Sequence, residues 1–228
     1  IDGRLDEVVW AGAGWEGGFV QNWPYEGREP SQTTEFKVLY DDNAVYVGIR
    51  ARDTRPAEIE RRISRRDNCN GDSVAVAIDS LFDHLTAYVF RVNACGVKAD
   101  QIVVNGGMDH SDEHDMSWDP IWDAAAAIGG DGWTAEMRIP LSQIRFGKKE
   151  QQVWGLQVSR YLFRLGEESE WQPIPRTAPG YVHLFGELRG LKGLATPHQI
   201  EITPYTVGRL KTYRAEPGNP FATGREAS

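Results

Sequence analysis

"TEFKVLYDDNAVYVGIRARD", residues 34–53, sets two alternating runs on either side of Asp41-Asp42-Asn43. Phe36, Val38 and Tyr40 alternate with Lys37 and Leu39, and Val45, Val47 and Ile49 alternate with Tyr46 and Gly48. Successive side chains of a strand point to opposite faces, so each run has one apolar face; a helix would scatter the same residues around its circumference. Asp and Asn tolerate tight-turn geometry. The stretch therefore predicts an antiparallel hairpin in a sheet with one buried side.

The pattern repeats along the chain. "DSVAVAID" carries Val74, Val76 and Ile78 on one face, and "TAYVFRVN" and "GVKADQIVV" follow with a turn at Gly96. "PIWDAAAAI", "GWTAEMRIP", "VWGLQVSRYLF", "ESEWQPIP" and "YVHLFGELRGL" complete about ten short strands separated by turn residues. With 24 Gly, 12 Pro and eight each of Trp, Tyr and Phe, this spacing predicts an all-β antiparallel two-sheet sandwich of the immunoglobulin-like or jelly-roll type and not a βαβ fold. One or two short helices are expected, the clearest at "PAEIERRISRRD", where Pro56 precedes Ile59 and Ile63 on one side. Residues 1–194 form the sandwich in this reading. Residues 195–228 form a connecting strand, "QIEITPYTVG", and a linker rich in Pro, Gly and charge, with 211–228 poorly ordered.

A formal charge of −8 argues against a general phosphate-backbone binder, and so against nucleic acid as a partner, because no basic excess drives counterion release. No apolar run reaches the roughly 20 residues of a membrane-spanning helix, and "IDGRLDEVVW" at the start is not an export signal, so any such signal was removed or lies outside this chain. Neither GxxxxGK[ST], GxGxxG, CxxC nor a nucleophile elbow occurs. Glu136, Glu167, Glu168 and Glu170 are carboxylates available in principle for glycoside hydrolysis, but sequence supplies no separation between them. Two readings of Cys69 and Cys95 stand side by side: a disulfide, which contributes about 3 kcal/mol in the chain-entropy model, or two separate thiols. The loop "NGGMDHSDEHDMSWD" holds Asp109, Asp112, Glu113, Asp115 and Asp119 with His110 and His114. It matches neither an EF-hand nor HExxH, so a solvated acidic loop is the simpler reading, with a metal or, through Met108, Met116 and His110, a haem as the alternatives.

Six motifs in order, "IDGRLDEVVW", "VLYDDNAVYVGIRARD", "DSVAVAID", "FRVN", "GWTAEMRIPLSQI" and "FGELRGL", resemble the family 9 carbohydrate-binding modules, β-sandwiches found on bacterial polysaccharide-degrading enzymes. "RRDNCNGDS", "WGLQVSRY" and "ITPY" resemble, more narrowly, the amino-terminal domain of bacterial outer-membrane proteins whose carboxy-terminal part is a β-barrel of unknown function. The resemblance implies a non-catalytic domain binding carbohydrate or glycan, at the periplasmic side of the outer membrane or secreted. Its role would lie in glycan uptake or catabolism, as an accessory to a hydrolase acting on O-glycosyl bonds, or as a structural partner of a carboxy-terminal barrel. It also implies a structural calcium ion (Ca2+) near Asp53 and Asp72. The family's two sugar-sandwiching tryptophans align here near Cys69 and Pro179, neither of them aromatic. Trp118, Trp122, Trp171 or Trp23 with Tyr25 would have to compensate, although core packing is the commoner fate of such residues. The site implied is a concave edge near Arg66, Arg91, Arg160 and Trp171, whose guanidinium groups donate hydrogen bonds to sugar hydroxyls or carboxylates. Arg160 stands in an apolar strand and needs an acid, such as Glu136 or Asp67. Glu136 itself alternates off the apolar face of its strand, which suits pairing with arginine better than catalysis.

Overall fold

A computed structural model describes residues 1–107, 114–115, 118–195, 206–207, 210–212, 217–219 and 225–227. They group into two compact units, Ile1–Pro197 and His198–Ser228. The first unit contains β1 (Val20–Trp23), β2 (Thr34–Tyr40), β3 (Ala44–Arg52), β4 (Ser73–Asp79), β5 (Ala87–Asn93), β6 (Lys98–Val103) and β7 (His114–Asp115). It continues with β8 (Asp123–Gly129), β9 (Gly132–Pro140), β10 (Gln151–Leu162), β11 (Glu167–Glu170) and β12 (Gly186–Lys192).

The hairpin of residues 34–53 forms as expected. Its turn is held by Asp41, whose carboxylate accepts the backbone N–H groups of Asn43 and Ala44, each at 2.8 Å. β2 and β3 pair throughout, and β9 and β8 extend them into a four-stranded sheet ordered β2-β3-β9-β8. The second sheet has eight strands in the order β1-β11-β10-β4-β5-β6-β7. β12 shares the long strand β10 with β11, pairing its first half while β11 pairs its last residues. Every pairing is antiparallel, and the two inward faces meet in one core.

Side-chain parity decides who enters that core. Phe36, Ile49 and Ala135 stand in one register row of the smaller sheet, and Val38, Val47 and Met137 in the next. They face Val74, Val76, Ile78, Phe90, Trp154, Leu156 and Val158 of the larger sheet, and nearly all of these are fully buried. The outward face of the smaller sheet is covered by the chain's first residues. Gly48 is required there, because a Cβ would lie 2.8 Å from the Leu5 side chain and 3.1 Å from the Trp10 ring.

Two expectations need correcting. The helical elements among the described residues are short 3₁₀ turns and none is an α-helix. In particular Pro56–Glu58 stops after one turn because Ile59 is extended; Ile59 is buried while Ile63 is 90% exposed, so the two isoleucines share no face. In the second unit, β13 (Leu210–Thr212) pairs with β14 (Arg225–Ala227), so residues 211–228 contain a two-stranded ladder where a linker was expected. The segment "QIEITPYTVG" falls almost wholly outside the described residues.

Candidate functional site

The larger sheet has a second face. Opposite parity from the core strands turns Ser73, Ala75 and Ala77 of β4, Val89 and Arg91 of β5, Gln157 and Ser159 of β10, and Glu168 and Glu170 of β11 outward. Register lines them up: Arg91 is opposite Ala75, Ala75 opposite Ser159, and Ser159 opposite Glu170. A parallel row runs Gln101, Val89, Ala77, Gln157. The two alanines keep the floor low in the middle, and the segment 171–185 folds over this face as a wall. Between wall and floor lies a groove of about 510 Å³, within the size range of small-molecule sites.

The wall is fastened at three places. The Gln157 side chain donates to the Gln172 carbonyl at 2.8 Å and accepts the Gln172 N–H at 2.9 Å. Asn22, also in the groove, donates from one amide nitrogen to the Ile174 carbonyl at 2.8 Å and to Glu170 at 3.2 Å. Tyr181 donates its backbone N–H to the Gly106 carbonyl at 2.8 Å. Between these points Tyr181 and Phe185, with centroids 6.1 Å apart and planes tilted by 37°, contribute the aromatic lining.

Charge is banded across the groove. Arg91 stands at one end of its row and, among the described residues, has no hydrogen-bond or ion-pair partner. Glu170 ends the row on the other side, with Glu168 two residues before it on the same face. Burial, with a smaller addition from the Glu168 charge, pushes the Glu170 carboxyl up to about 7, against the opposing hydrogen bond from Asn22. Arg176 joins the acidic side already satisfied: it pairs with Glu26 at 3.1 Å and its guanidinium lies 4.8 Å over the Trp23 ring.

Of the residues expected to share a concave edge, the structure brings Arg91 alone into this groove. Arg66 turns to the other side of the sheet, where it meets Asp100 at 2.6 Å, Asp119 at 2.7 Å and the Pro120 carbonyl at 2.7 Å. Arg160 points inward between the sheets. Its Nη1 donates to the carbonyls of Arg52 at 2.9 Å and Thr33 at 3.2 Å and to the Thr34 hydroxyl at 3.3 Å; its nearest acid is Asp53, at 3.8 Å, and not Glu136 or Asp67. Burial lowers its pKa to about 10 despite Asp72 and Asp53 nearby. Trp171 packs edge-on against Phe36 at 5.2 Å, and Trp118 against Tyr88 and Phe90 at 5.1 and 5.5 Å, so both tryptophans extend the core and neither lines this groove. Glu136 accepts the backbone N–H groups of Asp2 and Gly3 at 2.9 and 3.3 Å and thereby fastens the chain's first residues to the smaller sheet; the arginine pairing expected of it does not form.

Asp53 and Asp72 do come together, but around arginines. Asp53 takes a bidentate pair from Arg164 at 2.7 and 2.9 Å. Burial opposes its charge, yet that pair, with the Arg55 N–H, holds its carboxyl below the ordinary range. Asp72 accepts the Glu60 N–H at 2.8 Å, and burial raises its pKa. A calcium ion at these carboxylates would face two guanidinium groups, so the residues present do not fit one. Cys69 and Cys95 are separate thiols, the second of the two readings the sequence left open, with the Cys69 Sγ 3.3 Å from the Val97 carbonyl. Glu167 faces inward and accepts the Ser31 N–H at 2.8 Å, away from the groove. Met108 to Glu113 and Met116, with the metal and haem readings built on them, lie outside the described residues.

Sequence reasoning missed Asn22, Gln157, Ser159, Arg176, Tyr181 and Phe185 as groove residues. Parity along "WGLQVSRY" held the signal, since Gln157 and Ser159 alternate with the apolar Leu156 and Val158. Nothing local could show that residues 171–185 would lie over them.

The two-sheet β-sandwich, with a charge-banded groove on the outward face of its larger sheet, has the architecture of the non-catalytic carbohydrate-binding modules that the chain matches. More narrowly, residues 1–162 match the carbohydrate family 9 binding domain-like family, and the chain belongs to that family. Among solved structures, a family 9 carbohydrate-binding module from Caldicellulosiruptor kristjanssonii in complex with cellotriose aligns over 90% of this chain and 94% of its own, with 21% identity and a TM-score of 0.60. The glucose complex of such a module from the same organism gives a TM-score of 0.61 at 20% identity, over the same shares of the two chains. No curated protein matches the sequence.

Proposed function

We propose that the protein binds carbohydrate in the groove between segment 171–185 and the outward face of the larger sheet. One observation carries this reading: a straight register row running Arg91, Ala75, Ser159 and Glu170, with Gln101 in the row beside it, offers a guanidinium, a hydroxyl, a carboxyl and an amide along an open channel in a family of sugar-binding sandwiches. The cellotriose and glucose complexes of the similar modules support it. We further infer a place in a larger bacterial cell-envelope protein, at the periplasmic side of the outer membrane or secreted, serving glycan uptake or breakdown; the resemblance of "RRDNCNGDS" and "WGLQVSRY" to barrel-linked domains supports this.

The test is isothermal titration calorimetry with glucose, cello-oligosaccharides and a broad panel of neutral and acidic oligosaccharides, expecting saturable heat with at least one. No heat across the panel at millimolar sugar would sink the reading. A second reading, a structural domain that supports an outer-membrane barrel without binding sugar, is favoured by the non-aromatic residues Cys69 and Pro179. It would then stand.

A further inference from the structure

We propose that the groove selects acidic oligosaccharides, with a sugar carboxylate seated on the Arg91 guanidinium and neutral hydroxyls extending past Ser159 towards Glu170. The inference rests on the sugar-binding reading and narrows it to a substrate class.

Three observations converge. The first is that Arg91 lines the groove, is partly buried by it, and carries a charge with no hydrogen-bond or ion-pair partner among the described residues. The groove's other arginine, Arg176, shows the satisfied alternative, with Glu26 at 3.1 Å and the Trp23 ring at 4.8 Å. A half-desolvated, unpaired guanidinium is complementary to a planar two-oxygen anion, which it binds through two parallel hydrogen bonds.

The second is spacing. The acids lining the groove, Glu168 and Glu170, both stand on β11, three strand positions from Arg91 along the row through Ala75 and Ser159. At about 4.8 Å per strand that is roughly 14 Å, a distance over which Coulomb repulsion falls to a small fraction of its contact value. An anion at Arg91 is therefore little repelled by the acids, and Glu170, whose carboxyl is pushed up to about 7 by burial and the Glu168 charge, is in part neutral there. The separation exceeds one sugar ring, so a ligand that reaches from Arg91 to Glu170 is an oligomer.

The third is what the walls lack. Tyr181 and Phe185 are tilted against each other and do not form two facing plates, and Cys69 and Pro179 offer no aromatic ring. With little stacking to draw on, discrimination falls to directed polar contacts, and a bidentate carboxylate contact at Arg91 is the strongest the groove can make.

The experiment is calorimetry on the unaltered chain with an oligogalacturonate, the same oligosaccharide after reduction of its carboxyl groups, and a sulfated neutral oligosaccharide, repeated with Arg91→Gln and Arg91→Lys. The expected result is at least tenfold tighter binding of the oligogalacturonate than of its reduced form, weakening with added salt, and equal affinities for the two in Arg91→Gln. Arg91→Lys, which keeps the charge but not the fork, should retain only part of the preference. Equal binding of acidic and reduced forms by the unaltered chain overturns the inference while leaving the sugar-binding reading intact. A sulfated ligand binding as tightly as the uronate overturns the carboxylate assignment. Silence with every sugar overturns both readings. The comparison of ligands on the unaltered chain decides even if an Arg91 variant fails to fold.

Discussion

Glu170 is largely buried under the groove wall beside a second carboxylate, and its carboxyl is pushed up to about 7 from its ordinary 4.5 because the charged form is poorly solvated and repelled by Glu168. The sign of the consequence is fixed. Between about 4.5 and about 7 the folded chain binds this proton more than the unfolded chain does, so folding stability falls as pH rises through that window, by at most about 3 kcal/mol. Asp72, Asp79 and Asp100 are also raised by burial and add slopes of the same sign, so the comparison must isolate one residue. Glu170→Gln is expected to flatten the dependence of urea midpoints on pH across that window; an unchanged slope would show that the carboxyl titrates normally. Residues of this kind were the least legible in the sequence. An arginine within the apolar run of β10 announced that it needed an acid, but the acid, Asp53, comes from the end of β3, and only the folded sheets bring it to 3.8 Å.

At the scale of elements, the groove depends on the wall, and the wall depends on a turn. Gly107 has φ +70° and sits under Tyr181, where an added Cβ would lie 2.2 Å from the ring. The neighbouring Gly106 accepts the Tyr181 N–H at 2.8 Å and donates its own to the Leu85 carbonyl at 2.8 Å. Gly107→Ala must therefore both strain the turn and push the wall outward. A loss of about 1–3 kcal/mol in stability is expected, together with weaker ligand binding. Gly147→Ala, whose Cβ would meet nothing within 4 Å, is the matched control; equal unfolding midpoints and affinities for the two variants would refute the dependence. Strands were legible because alternation is a local property, and the 34–53 hairpin carried both its period and its turn chemistry. The wall was not, because "WQPIPRTAPGYVHLF" has no period of its own and takes its place from Gln157, Asn22 and Gly106, which lie elsewhere in the chain.

For the whole molecule, the question is which residues make the sandwich fold. The buried members of its main core run from Phe19 to Leu194, and the two sheets close with β12, which ends at Lys192. The buried ionic cluster that ties the sheets together, Asp53 with Arg160 and Arg164, lies within the same span, and so do all the groove residues. The sequence foreshadowed two sheets in one sandwich because that follows from parity repeated over many strands. It gave no order for them: the sharing of β10 between β11 and β12 is a long-range pairing with no local sign. Since the core, the ionic cluster and the groove all belong to the unit Ile1–Pro197, a chain ending at Pro197 is expected to unfold in one cooperative transition. Its unfolding free energy from urea titration should match that of the full chain to within about 0.5 kcal/mol, and its sugar affinities should be unchanged. A broadened transition, or loss of ligand binding in the shortened chain, would mean that residues 198–228 complete the fold or the site.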